Sequence, residues 1–391
     1  MILLFWILLL IIFYSFFGYG LLLYGIIRVK RLFRKQKTQS LPPAHRLPTV
    51  TLLIAAYNEE DYIEEKIKNC RELNYPQELL ELLFVTDGSS DSTPDKIAQH
   101  ADITLFHTPG RSGKMAAIKR VMPHVKSEII VFTDANTFLN TDALLKLVAH
   151  YQNPKVGAVA GEKRIAVAEK ADASSAGEGF YWKYESALKK WDYELYSNVG
   201  AAGELFSIRR ALYQPVEADT IIDDHMIAMR IAEKGYIIAY EPAAYAIETA
   251  SANTKEELKR KIRIAAGGIQ SIVRLKKAAN PFHNPVLTFQ YISHRVLRWT
   301  VTPFFMILLL LVNGFMALSK KYPDLYTWFL YGQLCFYLLA FLGFLFERKN
   351  IKIKAFFIPY YFVMMNYAVM AGIFRYFGKK QSAAWEKSKR K

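Results

Sequence analysis

Residues 129–137 read Ile-Ile-Val-Phe-Thr-Asp-Ala-Asn-Thr, an apolar run that ends on Asp134 and Asn136, one residue apart. Two oxygen-bearing side chains at that spacing can hold a hard cation, and the cation can hold a diphosphate. An Asx turn after a strand is the plainer alternative. Other chemistry-bearing residues sit at similar breaks. Tyr57-Asn58-Glu59-Glu60 follows an apolar run over 50–56, and Asp87-Gly88-Ser89-Ser90-Asp91-Ser92-Thr93 follows another over 82–86. Arg111 lies in a glycine-bearing loop over 109–113, and Lys114 opens a helical pattern over 114–121. Asp223 and Asp224 open a further helix, which Gly235 ends.

The elements that must position these groups alternate. Strand patterns over 50–56, 82–86, 103–107 and 129–134 are separated by helical patterns over 63–71, from near Thr93, and over 114–121. An unbroken apolar strand is one buried on both faces. The alternation predicts an α/β fold with a mostly parallel, doubly wound sheet. Ligands of such sheets bind at the carboxyl ends of strands, where these polar clusters fall. Beyond 137 the order loosens. A strand is expected over 156–165 and an aromatic-rich helix over 176–197. Gly200-Ala201-Ala202-Gly203 precedes a short strand through Ile208, followed by Arg209 and Arg210.

The rest of the chain points to a membrane. Its 391 residues can build a sizeable core, and 52% of them are hydrophobic, with 26 Phe and 24 Tyr. Residues 2–27 are almost wholly apolar and long enough to span a bilayer. They lack the basic start and small-residue cleavage site of a signal peptide. Stretches 301–318, 325–346 and 355–377 can also span. The formal charge is +16, but the bases cluster beside apolar runs, over 28–37 and 348–354. That placement fits the anionic cytoplasmic leaflet, and no nucleic-acid partner is expected. Segment 254–277 is basic and amphipathic, suited to lying on a membrane surface. Cys70 and Cys335 lie far apart and imply no disulfide framework.

Three parts are expected: an N-terminal span with its basic flank (1–40), a cytosolic domain with an interfacial helix (41–275), and an interfacial and transmembrane region (276–391). The bases after Ile27 place the middle part in the cytoplasm of a multi-pass inner (plasma) membrane protein. Three later spans would then put the tail outside. Yet the tail carries Lys379, Lys380, Lys387, Lys389, Arg390 and Lys391. Either the last segment does not fully cross, or the charge rule fails for it.

Taken together, the motifs over 49–275 resemble the family 2 inverting glycosyltransferases of GT-A fold. The membrane layout is similar to that of the hyaluronan, cellulose and poly-N-acetylglucosamine synthases. The resemblance implies a nucleotide-sugar-dependent hexosyltransferase using a UDP-sugar donor, Mg²⁺ or Mn²⁺, and a saccharide or glycolipid acceptor at the lipid bilayer. By that resemblance Ala56, Tyr57 and Glu59 hold uracil and ribose, and Asp87 reads the uracil edge. Arg111 and Lys114 lie near the diphosphate. Asp134 and Asn136 are the Asp-x-Asp motif that holds ribose, metal and diphosphate. Gly203 to Arg210 lines the acceptor, with Glu204 and Asp223 on that side, and Asp224 is the catalytic base.

Two departures stand out. Asn136 replaces the second carboxylate of Asp-x-Asp, and a neutral amide oxygen is the poorer ligand. The Gln-x-x-Arg-Trp motif of processive synthases corresponds to residues 260–264, which keep Arg263 but neither the Gln nor the Trp. The sugar-stacking Trp is thereby lost, which weakens the case for processivity. Arg298-Trp299 reads as a membrane-interface anchor. The aromatics of 176–197 read as packing on a membrane-proximal surface. Asn366 and Arg375 read as polar groups flanking a channel in the last apolar stretch.

The chemistry follows from the reaction class. Negative charge grows on the leaving diphosphate, so cations there bind the transition state more tightly than the ground state. A metal at Asp134 and Asn136, with Lys114 and Arg263, would do this. A base must take the proton of the attacking hydroxyl. Adjacent helix residues point apart, so Asp223 is expected to cap the helix and Asp224 to serve as base. Burial beside Asp223 should raise the Asp224 pKa. The expected function is synthesis of an exopolysaccharide from a UDP-sugar. Non-processive transfer to a lipid acceptor is the rival reading, and a non-catalytic membrane protein that binds nucleotide sugars is the third.

Overall fold

The computed structural model describes residues 1–33, 43, 46–166, 173–249, 254–319, 321–349, 351 and 353–378, with backbone only over 173–181. Bases used above to set topology, among them Arg34, Lys35, Lys37 and the tail from Lys379, lie outside the described residues.

Among the described residues, eight strands form one sheet: β1 (Val50–Ala56), β2 (Leu80–Asp87), β3 (Thr104–Thr108), β4 (Ile129–Asp134), β5 (Thr137–Leu139), β6 (Val156–Ile165), β7 (Phe206–Arg209) and β8 (Ile237–Glu248). Their order is β3-β2-β1-β4-β7-β6-β8-β5. The first four are parallel, as the alternation predicts. Strand β7 runs antiparallel between β4 and β6. Every residue of β1 is buried. Successive side chains of a strand point to opposite faces, so Leu53 and Ala55 join one core and Leu52, Ile54 and Ala56 the other.

The helices Ile63–Arg71, Lys114–Val121 and Asp223–Glu233 fall where the patterns place them. Strands β5 and β8 have no clear pattern in the sequence. In β8 the cause is Pro242, which cannot donate to a ladder. Pairing there skips from Tyr240, opposite Ala160, to Tyr245, opposite Glu162.

Among the described residues, three helices are long and apolar enough to cross a membrane: Ile2–Phe33, Leu325–Arg348 and Lys354–Phe377. The stretch 301–318 differs from expectation. It is a helix of only 17 residues, Thr302–Leu318, bent by 60° from the preceding helical run Pro285–Trp299. Pro303 in its first turn lacks the N–H that would continue the earlier helix. The two count as a fourth span only when taken together.

A buried polar cluster ties the N-terminal helix to the domain. The Tyr19 hydroxyl donates to Asp192 on the Ala173–Leu195 helix. Asp192 Oδ2 lies 2.5 Å from His294 Nδ1, and His294 Nε2 lies 3.2 Å from Glu185. Glu185 also meets Arg295 at 2.9 Å and Arg298 at 3.5 Å. Asp192 and His294 have no solvent-exposed side-chain surface. Removing one member of such a cluster strands the others. Asp192→Ala should therefore cost about 3 kcal/mol or more, read as a lower melting temperature in detergent. An unchanged melting temperature would show that the cluster does not hold the N-terminal helix.

Candidate active site

The strand ends of β1 and β4, the loop before β7, the start of the Asp223–Glu233 helix and the amphipathic helix Thr254–Arg274 surround a cavity of about 310 Å³. It is lined by Tyr57, Glu59, Lys114, Asp134 and Asn136, by Gly203, Glu204, Asp223 and Asp224, and by Arg263. The remaining predicted residues, Ala56, Asp87 and Arg111, line an adjoining smaller pocket that shares Tyr57 and Lys114. The structure thus gathers residues from 56 to 263 into two joined spaces.

Asp134 is the last residue of β4. Lys114, the first residue of its helix, reaches across to it. Lys114 Nζ lies 3.0 Å from Asp134 Oδ1 and 3.4 Å from Asp223 Oδ2. Burial alone would lower the Lys114 pKa; Asp134, Asp223 and Asp224 outweigh it and raise it, so the lysine is charged. A methyl group placed on Gly203 would sit 3.6 Å from Asp224 Oδ2 and 3.8 Å from Asp134 Oδ2. Both carboxylates therefore face one small space. Burial first, and the Asp223 charge second, push the Asp224 pKa up to about 7. Asn136 is buried, and its Oδ1 has no hydrogen-bond partner.

In the smaller pocket the Arg111 guanidinium lies 4.0 Å above the centre of the Tyr57 ring, a cation–π contact. Asp87 Oδ2 accepts from the backbone N–H groups of Ser112 and Gly113, at 2.8 and 2.6 Å. These bonds fold the 109–113 loop over the end of β2. The loop comes so close that a Cβ on Gly88 would lie 2.6 Å from Arg111 Cβ. Gly88 also has φ +71°, a left-handed conformation that glycine adopts without strain.

Several expectations need correction. Asp223 does not cap its helix: the cap position is Ile222, and no side chain makes the cap bond. The Asp223 carboxylate is drawn instead to Lys114. Trp299 lines the cavity rather than sitting apart from it as an anchor. Its ring lies flat enough on Gly268 that a Cβ there would be 2.6 Å from Trp299 Cε3. The ring centre is 5.5 Å from that of His225, and Arg295 lies 5.5 Å above it. An aromatic ring thus lines the same cavity as Arg263 although position 264 is Ile. Trp182, from the aromatic-rich helix, also lines the cavity. Asn366 does not: its Nδ2 donates to Phe362 O at 2.9 Å, and Met365, Ala368 and Val369 of that helix form the wall.

One wall had no clear sequence signal. Lys163 Nζ lies 2.5 Å from Glu204 Oε1 and also pairs with Glu248, while Arg260 sits 3.9 Å from each acid. Burial would raise the Glu204 pKa, but Lys163 and Arg260 outweigh it and lower it. The partners come from separate strands and a helix, so no spacing in the chain announces them.

Residues 51–215 match the family model described as glycosyl transferase family 2. That stretch is a family 2 glycosyltransferase domain. Among relatives, the poly-beta-1,6-N-acetyl-D-glucosamine synthase of Staphylococcus aureus is 27% identical over 238 residues, 58% of this chain and 56% of that one. The beta-monoglucosyldiacylglycerol synthase of Trichormus variabilis is 33% identical over 201 residues, 47% of this chain and 41% of that one. The matches thus span about half the length of these curated relatives. A mannosyltransferase from Pyrobaculum calidifontis, solved with GDP-mannose and Mn²⁺, superimposes with a TM-score of 0.70 at 24% identity. The match covers 97% of this chain and 100% of that one. The fold is GT-A with apolar helices appended.

The tight approach at Gly88 gives the glycosyltransferase domain a testable constraint. Gly88→Ala should push the 109–113 loop off Asp87 and weaken nucleotide binding, roughly tenfold for 1.4 kcal/mol of strain. Calorimetric titration with a panel of nucleoside diphosphates and Mn²⁺ would check this; wild-type affinity would show that the loop does not form the pocket.

Proposed function

We propose that the protein transfers a sugar, with inversion, from a UDP-sugar to a growing polysaccharide at the membrane. The observation that carries this reading is the convergence of Asp134 and Asp224 on the space beside Gly203, with Lys114 bridging to Asp223. The uracil goes to the smaller pocket beside Tyr57 and Arg111. The buried Asp87 Oδ1 atom makes no hydrogen bond, with Arg120 as its ion-pair partner at 3.5 Å, and would accept from a base N–H. The diphosphate goes toward Lys114 and Arg263, both in the cavity wall.

A divalent cation fits this donor set. Asp134 offers a carboxylate, and Asn136 offers a buried amide oxygen with no other partner. Among the described residues no cluster of three or more acids, histidines or cysteines could hold a metal unaided. Such a pair suits Mg²⁺ or Mn²⁺ that arrives with the donor, since these ions are commonly held by one or two carboxylates plus substrate phosphates. When bound, the cation would neutralise charge on the leaving diphosphate.

In the transfer, Asp224 accepts the proton of the attacking hydroxyl as its oxygen bonds to the sugar carbon. The bond from that carbon to the diphosphate breaks on the opposite side, and the diphosphate leaves with the bonding pair. Lys114, held charged by its acids, stabilises that leaving group. Trp299 and Trp182 supply apolar faces suited to sugar rings.

Transfer of a single sugar to a lipid acceptor is the second reading. It is favoured by the cavity wall of Met365, Ala368 and Val369, which comes from an apolar helix. Gly372 of that helix packs so closely on Ala265 and Ala266 that a Cβ would meet them at 2.6 and 2.8 Å. The earlier part of the same helix packs along Leu325–Arg348, through Phe356 on Phe346 and Phe362 on Phe336.

The deciding experiment is nucleotide release over a panel of sugar nucleotides, using purified protein in detergent with and without Mn²⁺. Release with a UDP-sugar supports the proposal, and release with none overturns it. A ladder or high polymer on a gel then marks a synthase, and a single organic-soluble band a glycolipid enzyme. Asp224→Asn should lower the transfer rate by roughly 10²- to 10⁴-fold, the usual worth of a general base, while leaving UDP binding nearly intact. Equal loss of both would remove Asp224 from the base role. Because its carboxyl has a pKa raised to about 7, it is protonated and inactive as a base below that value. The rate should rise with pH through about 7, and a flat profile there would contradict the assignment.

A further inference from the structure

Lys66 lies behind the site, not in its wall. It sits on the inner side of the Ile63–Arg71 helix with no solvent exposure. Among the described residues it makes no ion pair. Burial lowers its pKa, with Cys70 and Asp134 acting in the opposite direction. A buried ammonium is costly to keep, and an apolar side chain of similar volume is commonly as stable or more so. Fold stability alone therefore does not explain a lysine here.

Its bonds suggest what it does. Lys66 Nζ donates to Thr133 Oγ1 at 3.2 Å and to the Thr137 carbonyl at 2.6 Å. These two residues bracket Asp134, Ala135 and Asn136. Thr137 Oγ1 donates to the Asp134 carbonyl at 3.0 Å, closing the turn. With its oxygen lone pair facing the ammonium, the Thr133 hydroxyl points its own proton at the Glu204 carbonyl, 2.9 Å away. One ammonium thus links the turn that carries Asp134 and Asn136 to the loop that carries Gly203 and Glu204.

We infer that Lys66 is a positioning residue, which sets the turn bearing Asp134 and Asn136 against the Gly203–Glu204 loop and hence against Asp224. It touches neither donor nor acceptor and acts through Thr133 and Thr137. The inference rests on the proposed donor site at Asp134 and Asn136.

The test is Lys66→Met, which keeps much of the volume and removes both donors. Its melting temperature in detergent should stay near the wild-type value. Nucleotide release should fall roughly 10- to 100-fold, and calorimetry should show weaker binding of UDP with Mn²⁺, as for outer partners of metal ligands. Thr133→Val added to Lys66→Met should cost little further, because the two changes break one connected set of bonds. Wild-type release and wild-type UDP–Mn²⁺ affinity in Lys66→Met would overturn the inference while leaving the transferase reading intact. Should Lys66→Met not fold, Thr133→Val alone reads the same link, and wild-type values there would overturn it equally. If the wild-type protein releases nucleotide from no donor, the transferase reading itself has failed.

Discussion

Three carboxylates and one lysine share a partly buried space, and the rest of the site depends on that balance. Like charges at close range in a low dielectric cannot all stay ionised unless a cation stands among them. Lys114 is that cation, in contact with both Asp134 and Asp223. Asp224 stands outside those two contacts, and burial with the Asp223 charge raises its pKa to about 7; burial raises that of Asp134 as well, against the pull of Lys114. In the proposed transfer the same arrangement would do two jobs: it would keep a positive group beside the leaving phosphate, and it would leave Asp224 basic enough to take a proton.

The sheet makes this geometry possible. Parallel β1 and β4 deliver Glu59 and Asp134 at the same edge, where a parallel sheet always presents its strand ends. The antiparallel β7 enters from the other direction. Its leading loop, with Gly203, therefore falls at that edge instead of the opposite one. Gly203 lies where the Asp224 and Asp134 carboxylates face each other, and a Cβ there would be within ordinary contact distance of both. A fully parallel sheet would have sent that loop to the far side.

Much of this was legible in the chain. Strands β1 and β4 announced themselves as unbroken apolar runs, and the polar residues that follow them line one cavity. The Asp-Asp pair and Lys114 were recognisable because each begins a helix. What the chain hid has a common physical character. The cap assigned to Asp223 failed because a nearby charge outbid a local backbone bond. The wall of Lys163, Glu204, Glu248 and Arg260 joins two strands, a loop and a helix that lie apart in the chain. Strand β8 lost its alternation where Pro242 forces the ladder to skip. Lys66 looked like any helix lysine, since burial of one face is a property of packing and not of spacing.

Trp299 shows how a missing motif residue can mislead. Position 264 is Ile, so the helix that carries Arg263 offers no ring of its own. The ring comes from a different helix, just before the 60° bend. It fits because Gly268, one turn beyond Ile264, leaves its face bare. The bend and the bare glycine act as a pair: a straight continuation through Thr300 would carry the chain past the cavity, and a side chain at 268 would lift the ring away from it. The membrane-side helices therefore do more than anchor the domain. Through Trp299, Met365, Ala368 and Val369 they build one wall of its cavity, so the packing of these helices and the shape of the cavity are two aspects of the same arrangement.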